Sequence, residues 1–212
     1  FFLGLDLDYA LACFDGRQQI AEVVAAGGDH YLADSGFNRD ELVAAGLDPR
    51  RSTVAPPLHR IDHLLGLPAD EPTLDRYQDG RTNWLAVGRI APNKGLGLVI
   101  DAFARYRRTD PGARLLLVGG ADPRLAAYLD GLKQRAAEGG AGDAVHFLGK
   151  VSEPSLKALY LAADVFVTAS EHEGFCVPLV EAMALRVPVV AYGTTAVPET
   201  LGGAGLLWDE PD

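Results

Sequence analysis

The chain has 212 residues, 48% of them hydrophobic, and a formal net charge of −10. That length can bury a sizeable core but is short for two complete α/β domains, and the acidic balance, with no long basic stripe, argues against nucleic acid as a partner. No apolar run approaches the roughly 18 residues of a spanning helix and no signal sequence is visible, so the cytoplasm is the expected location, with peripheral membrane contact left open.

In chain order, the sequence begins at Phe1 without a methionine and ends at Asp212 just after a strand-like stretch at 205–208, and it reads as an excerpt of a longer protein. Asp6-Leu7-Asp8 has the look of a metal clamp, yet it follows no strand of the main alternation and reads as a turn or helix start. Cys13 and Cys176 do not read as a staple, which suits a reducing compartment. A strand at 31–33, a helix around 39–43 and a strand at 53–55 make residues 1–56 a piece of one α/β unit. Residues 57–80 hold Pro57, Pro68, Pro72 and many charges, a linker composition. His59 and His63 have helical metal-ligand spacing there but lack a third ligand, so they read as surface residues.

From 81 to 212 apolar, β-rich runs alternate with amphipathic stretches. The runs are at 84–87, 115–118, 145–148, 165–167, 187–191 and 206–208; the helical stretches lie near 96–108, 123–138, 153–163, 178–185 and 197–202. This alternation predicts an α/β fold with a doubly wound parallel sheet. Ligands of such sheets bind beyond the carboxyl ends of the strands. Residues 105–108, Arg-Tyr-Arg-Arg, read as the charged last turn of a solvated helix.

Two segments that directly follow strands carry candidate chemistry. Gly88-Arg89-Ile90-Ala91-Pro92-Asn93-Lys94-Gly95 sets a guanidinium fork and an ammonium on one glycine-bounded loop, where both can converge on a pyrophosphate; the spacing is not that of a P-loop. The second segment, 170–183, holds Glu173 and Glu181 with seven residues between them, bracketing Gly174 and Pro178. Gly174 allows a sharp turn, and Pro178 is suited to a first helical turn. A helix opening there points the N–H groups of Phe175 to Leu179 and its positive dipole end into the crevice, where a phosphate would settle. Phe175 and Met183 read as core or pocket wall, Cys176 as a small buried filler and His172 as a structural histidine.

Taken together, these segments, with Val145-His146-Phe147-Leu148-Gly149 and the looser Ala196-Val197-Pro198-Glu199, resemble the donor-domain motifs of family 4 glycosyltransferases, retaining enzymes of the GT-B fold. The resemblance covers 81–208 well and 1–56 more loosely, and implies a Rossmann-like donor-binding domain at 81–212 with the tail of an acceptor-side domain before it. It further implies that Arg89 and Lys94 hold the diphosphate and that Glu181 bonds the ribose hydroxyls. The same resemblance implies that Glu173 bonds the transferred sugar and that backbone near Lys150 and Val151 lies against the base. Gly174, Phe175, Cys176 and Val177 would complete the donor pocket. The chemistry agrees with these roles: cations and helix amides stabilise the charge that grows on the departing diphosphate, so neither metal nor other cofactor is required. The closest likeness is to bacterial enzymes of surface-polysaccharide synthesis, which points to GDP-mannose, or else a UDP-sugar, as donor and to a glycan or lipid-linked acceptor. The alternatives are a nucleotide-sugar epimerase or phosphorylase of the same fold, or a nucleotide-sugar binding module without catalysis.

Overall fold

The computed structural model of the chain describes residues 16–57 and 59–209; Asp6, Asp8 and Cys13 lie outside them. The first unit comprises α1 (Gly16–Ala25), β1 (Tyr31–Ala33), α2 (Gly36–Ala44) and β2 (Ser52–Val54). The strands pair in parallel, Tyr31 opposite Ser52, and Ala55 still donates to the Ala33 carbonyl at 2.8 Å. Helix α2 starts earlier than the sequence suggests because Ser35 caps it, its hydroxyl accepting from the Asn38 amide at 3.2 Å. Tyr31, Ala33, Leu42 and Leu47 form a small core between these elements.

The stretch 57–80 is folded rather than open. It holds α3 (Ile61–Gly66) and α4 (Glu71–Tyr77), the latter capped by Asp70, which accepts from the Thr73 amide at 3.1 Å. Tyr77 is 3% exposed and anchors α4 to the floor of the main sheet. There Arg114, itself buried, donates to Asn83 Oδ1 at 2.9 Å, to the Tyr77 carbonyl at 3.1 Å and to Asp79 at 2.7 Å. Asn83 in turn donates to the Tyr77 and Ala162 carbonyls at 2.7 and 2.9 Å, so a buried cation and amide are both satisfied.

The main sheet is built from β3 (Asn83–Val87), β4 (Arg114–Val118), β5 (Val145–Gly149), β6 (Val165–Thr168), β7 (Val189–Tyr192) and β8 (Leu206–Trp208). All pair in parallel in the order β5-β4-β3-β6-β7-β8. The connecting helices are α5 (Leu96–Tyr106), α6 (Ala126–Glu138), α7 (Glu153–Ala162), α8 (Val177–Ala184) and α9 (Val197–Leu201). Residues alternate between two cores along each strand, as a pleat with both faces covered requires. Leu115 and Leu117 pack with Ile100 and Phe103, whereas Leu116 and Val118 pack with Leu159 and Phe166 on the other side. Helix α5 buries Leu96, Val99, Ile100, Phe103 and Ala104, an i, i+3, i+4, i+7, i+8 stripe. Strand β7 begins at Val189, not at 187, because Val187 closes the α8 turn by donating to Ala182 at 2.9 Å. The decisive feature is the order itself. The chain leaves β3 toward β4 and β5 on one side and returns as β6 on the other, which opens a crevice at the carboxyl ends of β3 and β6.

Two arginines tie the helices of one face together. Arg107, just past α5, donates to both oxygens of Asp143 at 2.5 and 2.7 Å and to the Gly140 carbonyl at 3.0 Å, so the basic run at 105–108 is not merely solvated. Arg135 on α6 forks onto Asp101 of α5 at 2.7 and 2.5 Å. These guanidinium hydrogen bonds hold the Asp101 and Asp143 carboxyls below the ordinary aspartate range. A carboxyl whose value is lowered on folding contributes stability that is present above its unfolded value and lost as pH falls through its folded value. Thermal denaturation should therefore find Asp101→Asn and Asp143→Asn slightly less stable than the parent at pH 7. That gap should narrow as the pH drops from about 5 to about 3; a gap that stays constant would contradict the assignment.

Candidate functional site

The two candidate loops meet in the crevice between β3 and β6. Gly95 makes this closeness feasible. It is left-handed at φ 59°, and a Cβ there would run into the Ala169 carbonyl at the end of β6. The backbone of the first loop is fixed to β4 and its extension by Gly88 N–H to Val118 and Ile90 N–H to Gly120, both at 2.9 Å. It is fixed to the second loop by the Glu171 amide, which donates to the Asn93 carbonyl at 2.9 Å. Lys94 Nζ consequently donates to Glu173 Oε1 at 2.7 Å, with both side chains largely buried. Gly88, Lys94, Thr168 and Ser170 line the small cleft that remains. Arg89 is exposed on the same loop and makes no hydrogen bond or ion pair among the described residues.

The Glu173 loop is braced from behind by the β7–α9 connection. The Thr195 hydroxyl accepts from the Glu173 amide and donates to the Glu173 carbonyl, each at 2.9 Å. Thr194 donates to the Ser170 carbonyl at 2.9 Å and Thr200 to the Phe175 carbonyl at 2.6 Å. Gly174 is buried, Phe175 half-buried, and Val177 opens α8 with Pro178 in its first turn. Cys176, the residue before α8, is buried and left-handed at φ 70°, a strained conformation for a residue with a side chain. Burial, with the nearby Glu173 carboxylate adding to it, pushes the Cys176 thiol far above its ordinary range, so it is neutral and inert. The amides of Phe175, Cys176 and Val177 have no hydrogen-bond acceptor among the described residues, whereas Leu179 bonds back to Cys176 at 3.1 Å. Three open donors therefore stand at the positive end of α8 beside Lys94.

Glu181 occupies a different part of the crevice. It is 7% exposed and its two oxygens are held separately: Tyr160 donates to Oε2 at 2.8 Å, and His59 Nε2 lies 2.8 Å from Oε1. His59 and His63 do not converge, since His63 pairs with Glu153 at 3.1 Å. Among the described residues no group of three His, Cys, Asp or Glu could hold a metal ion. Lys150 and Val151 lie at the end of β5, Lys150 exposed and Val151 half-buried in the core of that face. His172 is half-buried, its ring edge-on to Phe37 at 5.7 Å. Glu199, on α9, reaches the first unit: the Gly36 amide donates to both its oxygens at 3.0 and 2.9 Å, and the Phe37 amide lies 3.4 Å from one of them. The sequence reading missed Tyr160, Thr195 and the partnership of His59. Tyr160 stands in the apolar run 158–162, where its hydroxyl gave the only signal.

The chain belongs to the group 1 glycosyl transferases: the model of that family matches residues 77–211, more than half of its length. A D-inositol 3-phosphate glycosyltransferase of Acidothermus cellulolyticus is 32% identical over 93% of this chain and 46% of its own length. The O-antigen chain mannosyltransferase B of Escherichia coli is 30% identical over 85% of this chain and 48% of its own. Among solved structures, Anabaena HepE in complex with UDP and glucose superposes with a TM-score of 0.83 at 21% identity, covering 97% of this chain and 56% of that one. The chain thus spans about half the length of these relatives. Its fold is a Rossmann-like doubly wound sheet beside a smaller, two-stranded α/β unit, and its structural neighbours are glycosyltransferases of the GT-B fold. No helix among the described residues is long and apolar enough to cross a membrane.

Proposed function

We propose that the chain is the donor-binding half of a retaining hexosyltransferase that takes a nucleotide sugar, GDP-mannose or a UDP-sugar, to a glycan or lipid-linked acceptor. The observation that carries this reading is the Lys94–Glu173 ion pair at the reversal point of the sheet, beside the open amides of α8. A diphosphate is met there by Lys94, Arg89 and three N–H groups, all aimed at charge that increases as the glycosidic bond breaks. Glu173 then faces the transferred sugar and Glu181 the ribose, while Lys150 and Val151 border the base. Such a leaving group departs without protonation by an enzymatic acid and without a metal. Retention follows if the acceptor attacks from the face the diphosphate vacates, Glu173 offering negative charge near the cationic ring. The relative that is an O-antigen chain mannosyltransferase favours mannose as the sugar and an O-antigen-like glycan as the acceptor.

Calorimetry of the chain with GDP and UDP tests the donor role. One of the two is expected to bind and, at about 100 times its dissociation constant, to stabilise the fold by about 2.7 kcal/mol, a rise of several degrees in thermal midpoint. A folded chain that binds neither would sink the reading. Labelled nucleotide sugar incubated with and without acceptor separates transfer from epimerisation, which needs no acceptor.

A further inference from the structure

The donor reading gives Glu181 one task, to accept hydrogen bonds from a ribose diol, and the contacts around it bear on how it does so. An ionised carboxylate accepts only, at about four lone-pair positions. Tyr160 is fully buried and its single hydroxyl proton has two neighbours, Glu181 Oε2 at 2.8 Å and the Pro178 carbonyl at 3.2 Å. The shorter contact to the charged acceptor takes the proton. His59 Nε2 must carry a proton of its own, because Oε1 at 2.8 Å has none to give. Two lone-pair positions remain, enough for the two hydroxyls of a vicinal diol.

The terminal torsion of a glutamate is broad and roughly two-fold, so Tyr160 alone leaves Oε1 free to swing. Oε1 is fixed by His59, which lies outside the main sheet, between β2 and α3, the helix that packs on α8. We propose that His59 is a positioning residue of the ribose site: the segment joining the two α/β units reaches into the crevice and locks Glu181 in the orientation that accepts the 2′ and 3′ hydroxyls. The site then recognises a ribonucleotide through three elements, α7, α8 and the connecting segment. Ribose affinity depends on the position of that segment.

The side chain of His59 is about a third exposed, so its replacement leaves the core intact. The test measures, by calorimetry on the 212-residue chain, the affinities of GDP and UDP and of their 2′,3′-dideoxy forms. His59→Ala is expected to weaken the better-bound ribonucleotide about tenfold and its dideoxy form less than twofold. His59→Gln, whose amide can donate from nearly the same place, should recover most of the loss. Equal weakening of both forms would mean a merely structural role, and tighter ribonucleotide binding would mean that His59 competes with the diol. Either result, or no change, overturns the proposal. If the parent chain binds neither nucleotide, the donor assignment fails instead, so the two failures are distinguishable.

Discussion

Lys94→Ala is expected to lower sugar transfer by roughly two to three orders of magnitude, the loss typical of a donor aimed at transition-state charge. Among the described residues the ammonium is the one cation paired with Glu173, and the turn at 92–94 holds it at the cleft. Its removal also leaves the Glu173 carboxylate, 9% exposed, without its 2.7 Å partner, which costs about 1–3 kcal/mol of stability. Arg89→Ala provides the contrast: its guanidinium has no internal partner among the described residues, so turnover should fall while stability is unchanged. Turnover is to be read as nucleoside diphosphate released, in a form of the protein that carries the acceptor side, with thermal denaturation alongside. Well-folded Lys94→Ala protein with undiminished turnover would remove Lys94 from the site.

Gly95→Ala should be strongly damaging in the crevice. A methyl group at this position meets the Ala169 carbonyl and Ala169 Cβ, both part of the β6 end, and the backbone sits at φ 59°. Neither the strand nor the loop can yield without separating the Asn93 carbonyl from the Glu171 amide. Overpacking of this kind costs about 1–3 kcal/mol, and the left-handed backbone adds about 1 kcal/mol more. For a chain of this size the thermal midpoint should fall by roughly 5–15 °C. Nucleotide affinity should fall as well, because Lys94 moves away from Glu173. A variant with parental midpoint and affinity would show that the two loops do not interlock.

Much of the sheet is written plainly in the chain. Strands such as 115–118 are uninterrupted apolar runs, and α5 displays its buried stripe at helical spacing, so both could be found by periodicity. The segment 57–80 could not. Its helices are short, α3 buries little beyond Leu64, and Pro72 serves as a helix start rather than as a spacer. The site divides in the same way. Glu173, Glu181, Arg89 and Lys94 were visible as residue types next to strand ends. The contact of Lys94 with Glu173 joins residues 79 apart and depends on β6 lying next to β3, which no local pattern states. Tyr160 and His59 were hidden for opposite reasons. One sits inside an apolar helix where its hydroxyl is easily read as incidental; the other stood out only for its spacing from His63, and its contact with Glu181 depends on how the segment folds against α8.

The clasp of Glu199 on the amides of Gly36 and Phe37 has a consequence for folding order. Gly36 and Glu199 are separated by 163 positions, and the entropy of closing so long a loop must be met before the contact returns anything. Helix α2 must already be formed to present its first amides, and α9 must already be docked behind β7 to present the carboxylate. The clasp is thus a late-forming seal: it closes on two finished units and holds them in register, with little part in building either.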